Sequence, residues 1–171
     1  MNIKELNSKL KDKAISLGLC EKWQQKWDED SSQQVLINKY FKGVDFSLKH
    51  HYPSNEFIKN FFDKDLLRKN GILVDDNRSL LNPEEAMILG SSKAIIRVNG
   101  RHHSIIYVRD NSFVKIFIKN NSFTIIHLFE NANIDVEVQD SPDLLVLKNS
   151  KNVVITANKT IRIKDDFSYL K

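Results

Sequence analysis

The chain has only one cysteine among its 171 residues, together with five glycines and three prolines. A single thiol, Cys20, excludes an internal disulfide and leaves no cysteine-based zinc cluster, which favours a reducing, intracellular compartment. Five glycines are too few to favour a glycine-rich phosphate loop, and no Gly-x-Ser-x-Gly or His-Glu-x-x-His motif occurs. These absences predict a protein that is not an enzyme, with no catalytic residues, no cofactor and no metal.

Long hydrophobic runs are also missing from the chain. No apolar stretch approaches the roughly 18 residues that a membrane span needs. The first residues, Met1 to Glu5, lack the apolar segment of a secretory signal. We therefore expect a cytoplasmic protein that has no membrane partner and is not secreted by a signal peptide.

The net charge of +4 at pH 7 lies wholly in the second half of the chain. Residues 1–90 carry 14 Lys/Arg and 14 Asp/Glu, whereas residues 91–171 carry 12 Lys/Arg and 8 Asp/Glu. Proteins that follow a phosphate backbone usually show a denser basic stripe. The charge excess alone is therefore too mild to establish nucleic-acid binding, which stays an alternative.

Residues 1–90 show the apolar spacing and the capping residues of several short helices. The candidate starts are Asn2, Ser31 or Ser32, the break at residues 52–55, Asp63 or Asp65, and Asn82 followed by Pro83. Glu5 would complete a capping box with Asn2, and the run Ile72 to Val74 has the composition of a short strand. The pattern predicts a helical N-terminal domain over residues 1–90, with its last helix beginning at Asn82-Pro83-Glu84-Glu85.

Two residue pairs in this segment could suggest binding sites, but simpler explanations are available. Trp23 and Trp27 lie four residues apart on one helix face, and aromatic side chains at such positions usually pack in a core or an interface. His50 and His51 are adjacent and do not share a face, and no Cys or carboxylate lies at a standard ligand spacing beside them. We interpret the tryptophans as packing residues and predict no metal site.

Residues 91–160 can be written as seven consecutive ten-residue repeats. The sixth position reads Ile96, Ile106, Ile116, Ile126, Val136, Val146 and Thr156. The fourth and eighth positions are also mostly apolar or β-branched, and side chains two apart share one side of a strand, so that side is predicted to be buried. Asn and Asp cluster at the repeat boundaries, where these residues tolerate a left-handed backbone. Each repeat is therefore predicted to form one strand and one corner.

A β-solenoid explains this repeat better than a meander of hairpins does. Hairpins usually turn on Asn-Gly or Asp-Gly, and the repeats offer only Gly100. Successive strands in one register also suit a solenoid, in which equivalent positions stack and terminal repeats become irregular. The sequence predicts an α+β chain: a helical domain over residues 1–90, a short single-chain β-solenoid (β-helix) of ten-residue strands over 91–165, and a tail over 166–171.

The outward positions five and seven of the repeat indicate about two strands per coil. They are clearly more apolar in the even repeats, where they are Ile105, Tyr107, Ile125, His127, Leu145 and Leu147. In a two-repeat coil these residues stack on one sheet that is hydrophobic on both sides and must be covered, by the chain's own helices or by another subunit. We identify them as a candidate interaction surface. The odd sheet, with Ile155 and Ala157 outward in its last strand, is predicted to meet water.

Basic residues cluster in the outward positions and corners of the first three repeats. They are Arg97, Arg101, Arg109, Lys115 and Lys119. These residues form a candidate basic face for an acidic partner or nucleic acid, although charged residues also protect the edges of sheets.

Other polar side chains of the repeat are interpreted as surface groups. Asp135, Glu137 and Asp143 form a late acidic group, which we interpret as a solvated face. The alternation along the strands predicts that His103 points outward and that His102 points inward near a corner.

The run from His127 to Val138 reads His-Leu-Phe-Glu-Asn-Ala-Asn-Ile-Asp-Val-Glu-Val. It resembles the Asn-Ala-x-Val-x-Val decapeptide arrays of uncharacterised β-solenoid proteins of bacteriophages and gut Bacteroidales mobile elements. Residues 52–60 and 77–83 also resemble segments of proteins from that source. The resemblance brings no site residues; it implies a phage or mobile-element structural or accessory protein, located in the host cytoplasm or in the virion.

Three classes of function follow, in decreasing order of support. The first is a non-enzymatic binding or assembly module whose apolar sheet binds a protein partner or a second copy in a homo-oligomer. The alternative is a nucleic-acid-associated protein that uses the basic early repeats. A carbohydrate-active enzyme is least favoured, because paired carboxylates on a solenoid work in a cleft built by long loops, and these corners are short.

Overall fold

The computed structural model describes residues 1–27 and 32–168, in two compact units that meet in sequence between Leu67 and Arg68. The helices are α1 Ile3–Ser16, α2 Glu21–Gln25, α3 Gln33–Lys42, α4 Val44–His50, α5 Asn55–Phe61 and α6 Lys64–Lys69. The strands are β1 Ile72–Val74, β2 Asn77–Leu81, β3 Glu85–Leu89, β4 Lys93–Val98, β5 His103–Val108, β6 Phe113–Ile118, β7 Phe123–Leu128, β8 Asn133–Val138, β9 Asp143–Lys148, β10 Val154–Ala157 and β11 Arg162–Asp165. The predicted fold, short helices followed by a parallel β-solenoid, is confirmed.

The helices begin at residues whose side chains satisfy free backbone N–H groups. The Asn2 side chain accepts a hydrogen bond from the Glu5 N–H while the Glu5 carboxylate accepts one from the Asn2 N–H, which confirms the predicted capping box. Ser32 caps α3, and the carboxylate of Asp63 accepts the Leu66 N–H at the start of α6. Ser31, the other candidate for the start of α3, lies outside the described residues.

The N-terminal unit has its own apolar core, centred on the inner face of α1. Its buried members are Leu6, Leu10, Ala14, Leu19, Leu36 and Tyr52. Trp23 and Trp27 pack partly buried against this core, which confirms their interpretation as packing residues. The Trp27 indole also donates to the Oδ1 of buried Asn7 at 2.6 Å, so that the polar edge of the ring is paired.

Tyr52 links two segments of this unit through a buried hydrogen bond, its hydroxyl donating to the Leu10 carbonyl at 2.7 Å. Tyr52→Phe should lower the free energy of unfolding by about 1–2 kcal/mol, because the buried hydrogen bond to the Leu10 carbonyl is lost. Burial raises the pKa of the Tyr52 phenol well above its usual value near 10. The folded state therefore keeps the neutral phenol, and the stability it provides below pH 10 is lost as the pH rises further.

The two effects together predict how the stability difference depends on pH. Between pH 9 and pH 11 the gap between the wild type and Tyr52→Phe should shrink by about 1.4 kcal/mol, since only the wild type has this phenol to ionise on unfolding. Urea unfolding of both proteins at the two pH values measures the gap. A gap that stays constant or widens would contradict the assigned burial.

The solenoid consists of two parallel sheets that alternate along the chain. The six-stranded sheet has the order β1-β3-β5-β7-β9-β11, and the five-stranded sheet the order β10-β8-β6-β4-β2. Ile96 pairs with Ile116 and Ile116 with Val136, so each central coil takes twenty residues. Two ten-residue repeats, each with one strand of up to six residues, make up a coil as predicted, and equivalent side chains therefore lie directly over one another.

The interior of the solenoid is the side of the repeat that the sequence marked as apolar. Its fully buried large residues include Ile96, Ile106, Ile116, Ile126 and Ile134. The corners place left-handed residues at the tenth position, namely Gly90, Gly100, Asp110, Asn120, Glu130 and Asp140. Several of these acids also accept backbone N–H groups from the preceding coil, as Asp110 does from Gly90 at 2.7 Å. The Asn and Asp at the repeat boundaries thus both turn the chain and bind one coil to the next.

The solenoid starts earlier than the sequence indicates. The apolar run Ala86–Leu89 forms a buried strand, β3, where the sequence predicts a helix beginning at Asn82-Pro83-Glu84-Glu85. Asn82 is left-handed, and its side chain accepts the Asn99 N–H at 2.7 Å, so this segment is a solenoid corner. The prediction of a helix is wrong because pairing with β1 and β5 outweighs the local capping signals. Residues 72–90 therefore belong with the solenoid rather than with the helical domain.

The last coil departs from the ten-residue rule. Asn133 pairs with Val154, twenty-one residues on, so the side chains of β10 are shifted by one position relative to the repeat. Ile155 and Ala157 consequently pack against the interior core, whereas Val154 is exposed. The prediction that Ile155 and Ala157 point outward is wrong, since a slip of one residue exchanges the two faces of a strand.

Candidate functional site

The six residues predicted as an interaction surface lie together on the outer side of the six-stranded sheet. Strand pairing places Ile105, Ile125 and Leu145 in one row. A second row contains Tyr107, His127 and Leu147. At the start of the first row Glu85 pairs with Ile105, and burial, together with the neighbouring Glu84, raises the pKa of the Glu85 carboxyl.

This outer side is largely withdrawn from water in the single chain. Tyr107 is 4% exposed and His127 is 8% exposed, and their rings stack with centroids 4.9 Å apart. The other four residues of the two rows are half-buried. The sequence places these residues on one face correctly, but the centre of that face is buried and offers a partner little apolar surface.

The predicted basic residues do not share one face. Arg97 and Lys115 lie on the outer side of the five-stranded sheet, and Arg101 and Lys119 lie in exposed corners. Arg109 is buried in the opposite row of corners. Its Nη2 lies 2.7 Å from Glu130 Oε1, and its guanidinium covers the Phe129 ring at 5.1 Å. The hypothesis of a single basic face is therefore corrected, because neighbouring repeat positions project in different directions at a corner.

The outer side of the five-stranded sheet carries the more accessible apolar surface of the solenoid. We call it the open face, and its apolar and charged residues are Leu81, Lys93, Ile95, Arg97, Phe113, Lys115, Phe117, Asp135, Glu137 and Val154. Leu81 is 68% exposed and Val154 is 51% exposed, while Ile95 and Phe113 are also exposed. Apolar side chains on the exposed side of a parallel sheet are typical of a contact surface, since such sheets are usually covered.

Charge on the open face changes sign along the stack of coils. Lys93 and Arg97 lie in β4 and make no ion pair with any of the described residues, although Arg97 covers the Phe117 ring at 5.1 Å. Asp135 and Glu137 lie two strands away in β8. Lys115, on the strand between, binds Glu137 at 2.7 Å and Asp135 at 3.5 Å, and the hydrogen bond to Glu137 raises the pKa of Lys115. The face thus has a basic end and an acidic end.

The remaining polar residues of the repeat do not assemble into a site. Asp143 lies on the six-stranded sheet and pairs with Arg162 at 3.1 Å, apart from Asp135 and Glu137. His103 is exposed and contacts the Phe123 ring, as its predicted outward orientation requires, whereas His102 is exposed and the prediction that it points inward is wrong. Within residues 1–27 and 32–168, no three His, Cys, Asp or Glu side chains are grouped to hold a metal ion.

Sequence reasoning missed the apolar members of the open face. Leu81 falls in the segment assigned to the helical domain, and Val154 is assigned to the interior by the ten-residue rule. Phe113 occupies the third position of its repeat, on the same side as positions five and seven. Extending the outward set to position three would have found Phe113, but the altered register of the terminal coils hides the other two.

The chain as a whole matches no protein-family model, no curated protein and no solved structure in comparisons with known proteins. Over the described part of the chain, every helix is too short or too polar to cross a bilayer. Functional inference therefore depends on the surfaces of the solenoid.

Proposed function

We propose that the chain is a non-enzymatic binding or assembly module that contacts protein through the open face. The observation that supports this proposal is the exposure of Leu81, Ile95, Phe113 and Val154 on the outer side of one sheet. Burying apolar surface contributes roughly 25 cal/mol for each Å² removed from water. A partner that covers these side chains therefore gains affinity from surface that the single chain leaves exposed.

The size and chemistry of the open face suit another protein surface. Five strands about 4.8 Å apart, each about six residues long with a rise of about 3.3 Å per residue, give roughly 480 Å². Apolar side chains stand beside charges of both signs, which is the mixture that protein interfaces use for affinity and for orientation. The central corners contain four residues each, such as those between Val108 and Phe113. Corners of this length present the sheet directly and do not build a cleft.

The biological setting is a separate part of the proposal. We place the chain among the structural or accessory proteins of phages or mobile elements, on the resemblance of its decapeptide repeat alone. In that setting a rigid solenoid would serve as a spacer or a connector between protein surfaces.

Nucleic-acid binding is a second candidate because the open face carries Phe113 and Phe117 beside Arg97. Aromatic rings on an exposed sheet with adjacent basic residues can stack the bases of single strands. Asp135 and Glu137 share the same face and would repel phosphates, and Lys115 already pairs with both. We therefore favour a protein partner, and the absence of oligonucleotide binding at low salt would dismiss this candidate.

Photo-crosslinking tests the proposed function. A photoreactive amino acid in place of Ile95 should give a covalent protein adduct in cells that produce the chain natively, because Ile95 is an exposed residue of β4, next to the central strand of the open face. The same amino acid in place of Lys119, an exposed corner residue, serves as the matched control and should give little adduct. Equal adducts at both positions, or none at either, would refute the open face as the contact surface.

A further inference from the structure

We propose that the open face binds the open face of a second copy of this chain, in a twofold-symmetric dimer. This inference rests on the proposed function, since it names the partner of the same surface. The twofold axis would run parallel to the strands, between the two sheets. Each strand then faces a strand of the other copy at the same position along its length, with the order of strands reversed.

The distribution of charge supports this arrangement. The sheet order β10-β8-β6-β4-β2 has β6 at its centre, so the reversal places β4 of one copy opposite β8 of the other. Strand pairing puts Arg97, Phe117 and Glu137 in one row across the sheet. In the dimer Arg97 of each copy therefore faces Glu137 of the other. Ile95 of each copy likewise faces Asp135 of the other. Lys93, two residues before Ile95 on β4, lies diagonally across from that Asp135.

The other twofold axis that would keep the strands of the two copies aligned fails the same test. An axis along the stack of coils would place β4 opposite β4 and reverse the strand direction. Arg97 would then face Lys93 of the other copy, and the acidic end would face the other acidic end. Like charges in direct opposition disfavour an interface. The charge pattern therefore selects the axis parallel to the strands.

The centre of the proposed interface is aromatic. Phe113 and Phe117 of β6 would each meet the same residue of the second copy across the axis. The ammonium group of Lys115 also lies near the axis, but it binds Glu137 and Asp135 of its own chain. In the dimer the two Lys115 ammonium groups would therefore point in opposite directions, each toward β8 of its own chain.

The area of the face places the proposed dimer among small interfaces, which are commonly weak. Two faces of roughly 480 Å² each bury about 1,000 Å² in total, which is at the lower limit for a specific interface. We therefore expect a dimer that dissociates in the micromolar range, and one that weakens as salt screens the charges.

Exchanging the charges across the interface tests the proposal. By sedimentation equilibrium of the full chain from 1 µM to 1 mM, Arg97→Glu and Glu137→Arg should each raise the dimer dissociation constant at least about tenfold. The double variant should return to within about threefold of the wild type. Within one chain β6 separates the strands that carry these residues, so rescue by the double variant reports a contact between copies.

Matched controls keep the test decisive. Lys119→Glu removes a positive charge from an exposed corner outside the open face and should leave the dissociation constant within about threefold of the wild type. Lys93→Glu is a second probe of the basic end if Arg97→Glu does not fold. A wild-type chain that stays monomeric at 1 mM, or a double variant no stronger than the singles, would overturn the dimer.

The crosslinking experiment separates this proposal from the one on which it rests. An Ile95 adduct to the same chain, in both the purified protein and cells, supports the dimer. If the purified chain is monomeric and the Ile95 adduct in cells contains only a different protein, the dimer is refuted. The proposal of a protein-binding module is then still supported. Crosslinking to nucleic acid in place of protein, or no specific adduct, overturns both.

Discussion

Ile96→Ala should lower the free energy of unfolding by about 2–5 kcal/mol, whereas Ile95→Ala should lower it by less than about 1 kcal/mol. The two residues are neighbours in β4, but Ile96 is 0% exposed and Ile95 is 38% exposed. Removing three carbons from Ile96 leaves a cavity in the interior column where it pairs with Ile116. At Ile95 the same change shortens a side chain that already contacts water.

Urea unfolding at 1 µM protein measures both effects at a concentration that limits self-association. Both substitutions replace Ile by Ala and so lose a similar intrinsic preference for strand structure. The difference between their losses in unfolding free energy therefore reports which of the two positions is buried. Equal losses would show that the two sides of β4 are covered alike, and would contradict both the fold and the open face.

Gly71→Ala should destabilise the solenoid by about 2–5 kcal/mol, more than the same substitution at Gly100. Both glycines are left-handed, with φ of +74° and +72°. An added Cβ at Gly71 would lie only 2.5 Å from the backbone carbonyl oxygen of Glu85, and this carbonyl belongs to a paired strand that cannot easily move. At Gly100 the nearest atom, Cδ2 of His102, is 4.0 Å away.

Gly100→Ala is therefore the matched control, since it isolates the cost of a left-handed Cβ, about 1–2 kcal/mol. The collision at Gly71 should add about 1–3 kcal/mol to that cost. Thermal or urea unfolding of the two variants gives the comparison. If Gly71→Ala lowered the free energy of unfolding no more than Gly100→Ala, the contact between the backbone at Gly71 and strand β3 would be contradicted.

Stacked coils explain which features could be predicted from the sequence and which could not. The positions of Ile96, Ile116 and Val136 repeat because each must occupy the same interior column, so their spacing predicts both the solenoid and its two-strand coil. The capping residues Asn2 and Ser32 act on their own first turn, and they too could be identified from local sequence. Interactions confined to one repeat or one helical turn can therefore be predicted from the local sequence.

The ends of the repeat were misassigned for a physical reason. Ile72 pairs with Met87 after fifteen residues and Leu145 with Arg162 after seventeen, so neither terminal coil keeps the period of twenty. The local signals at Asn82 and Pro83 suit a helix start as well as a solenoid corner, and only pairing with neighbouring strands decides between them. A period can locate the coils that share it, but it does not locate those that end the stack.

The candidate site was likewise predicted only in part from the sequence. Alternation correctly grouped Tyr107 with His127, but it could not reveal that both are buried within the chain while Phe113 and Leu81 are exposed. It also could not separate Arg109, buried against Glu130, from Arg97 on the open face. Exposure depends on what packs over a side chain, and that is set by residues distant in sequence.

The sequence by itself determined the parallel β-solenoid, its twenty-residue coil and its interior columns, because each coil repeats the same local requirements for burial and turning. Only the tertiary structure decided which outer face is accessible, where the solenoid begins and which register its terminal strands take. Exposure and the register of the terminal strands depend on contacts between residues that the ten-residue pattern does not relate to one another.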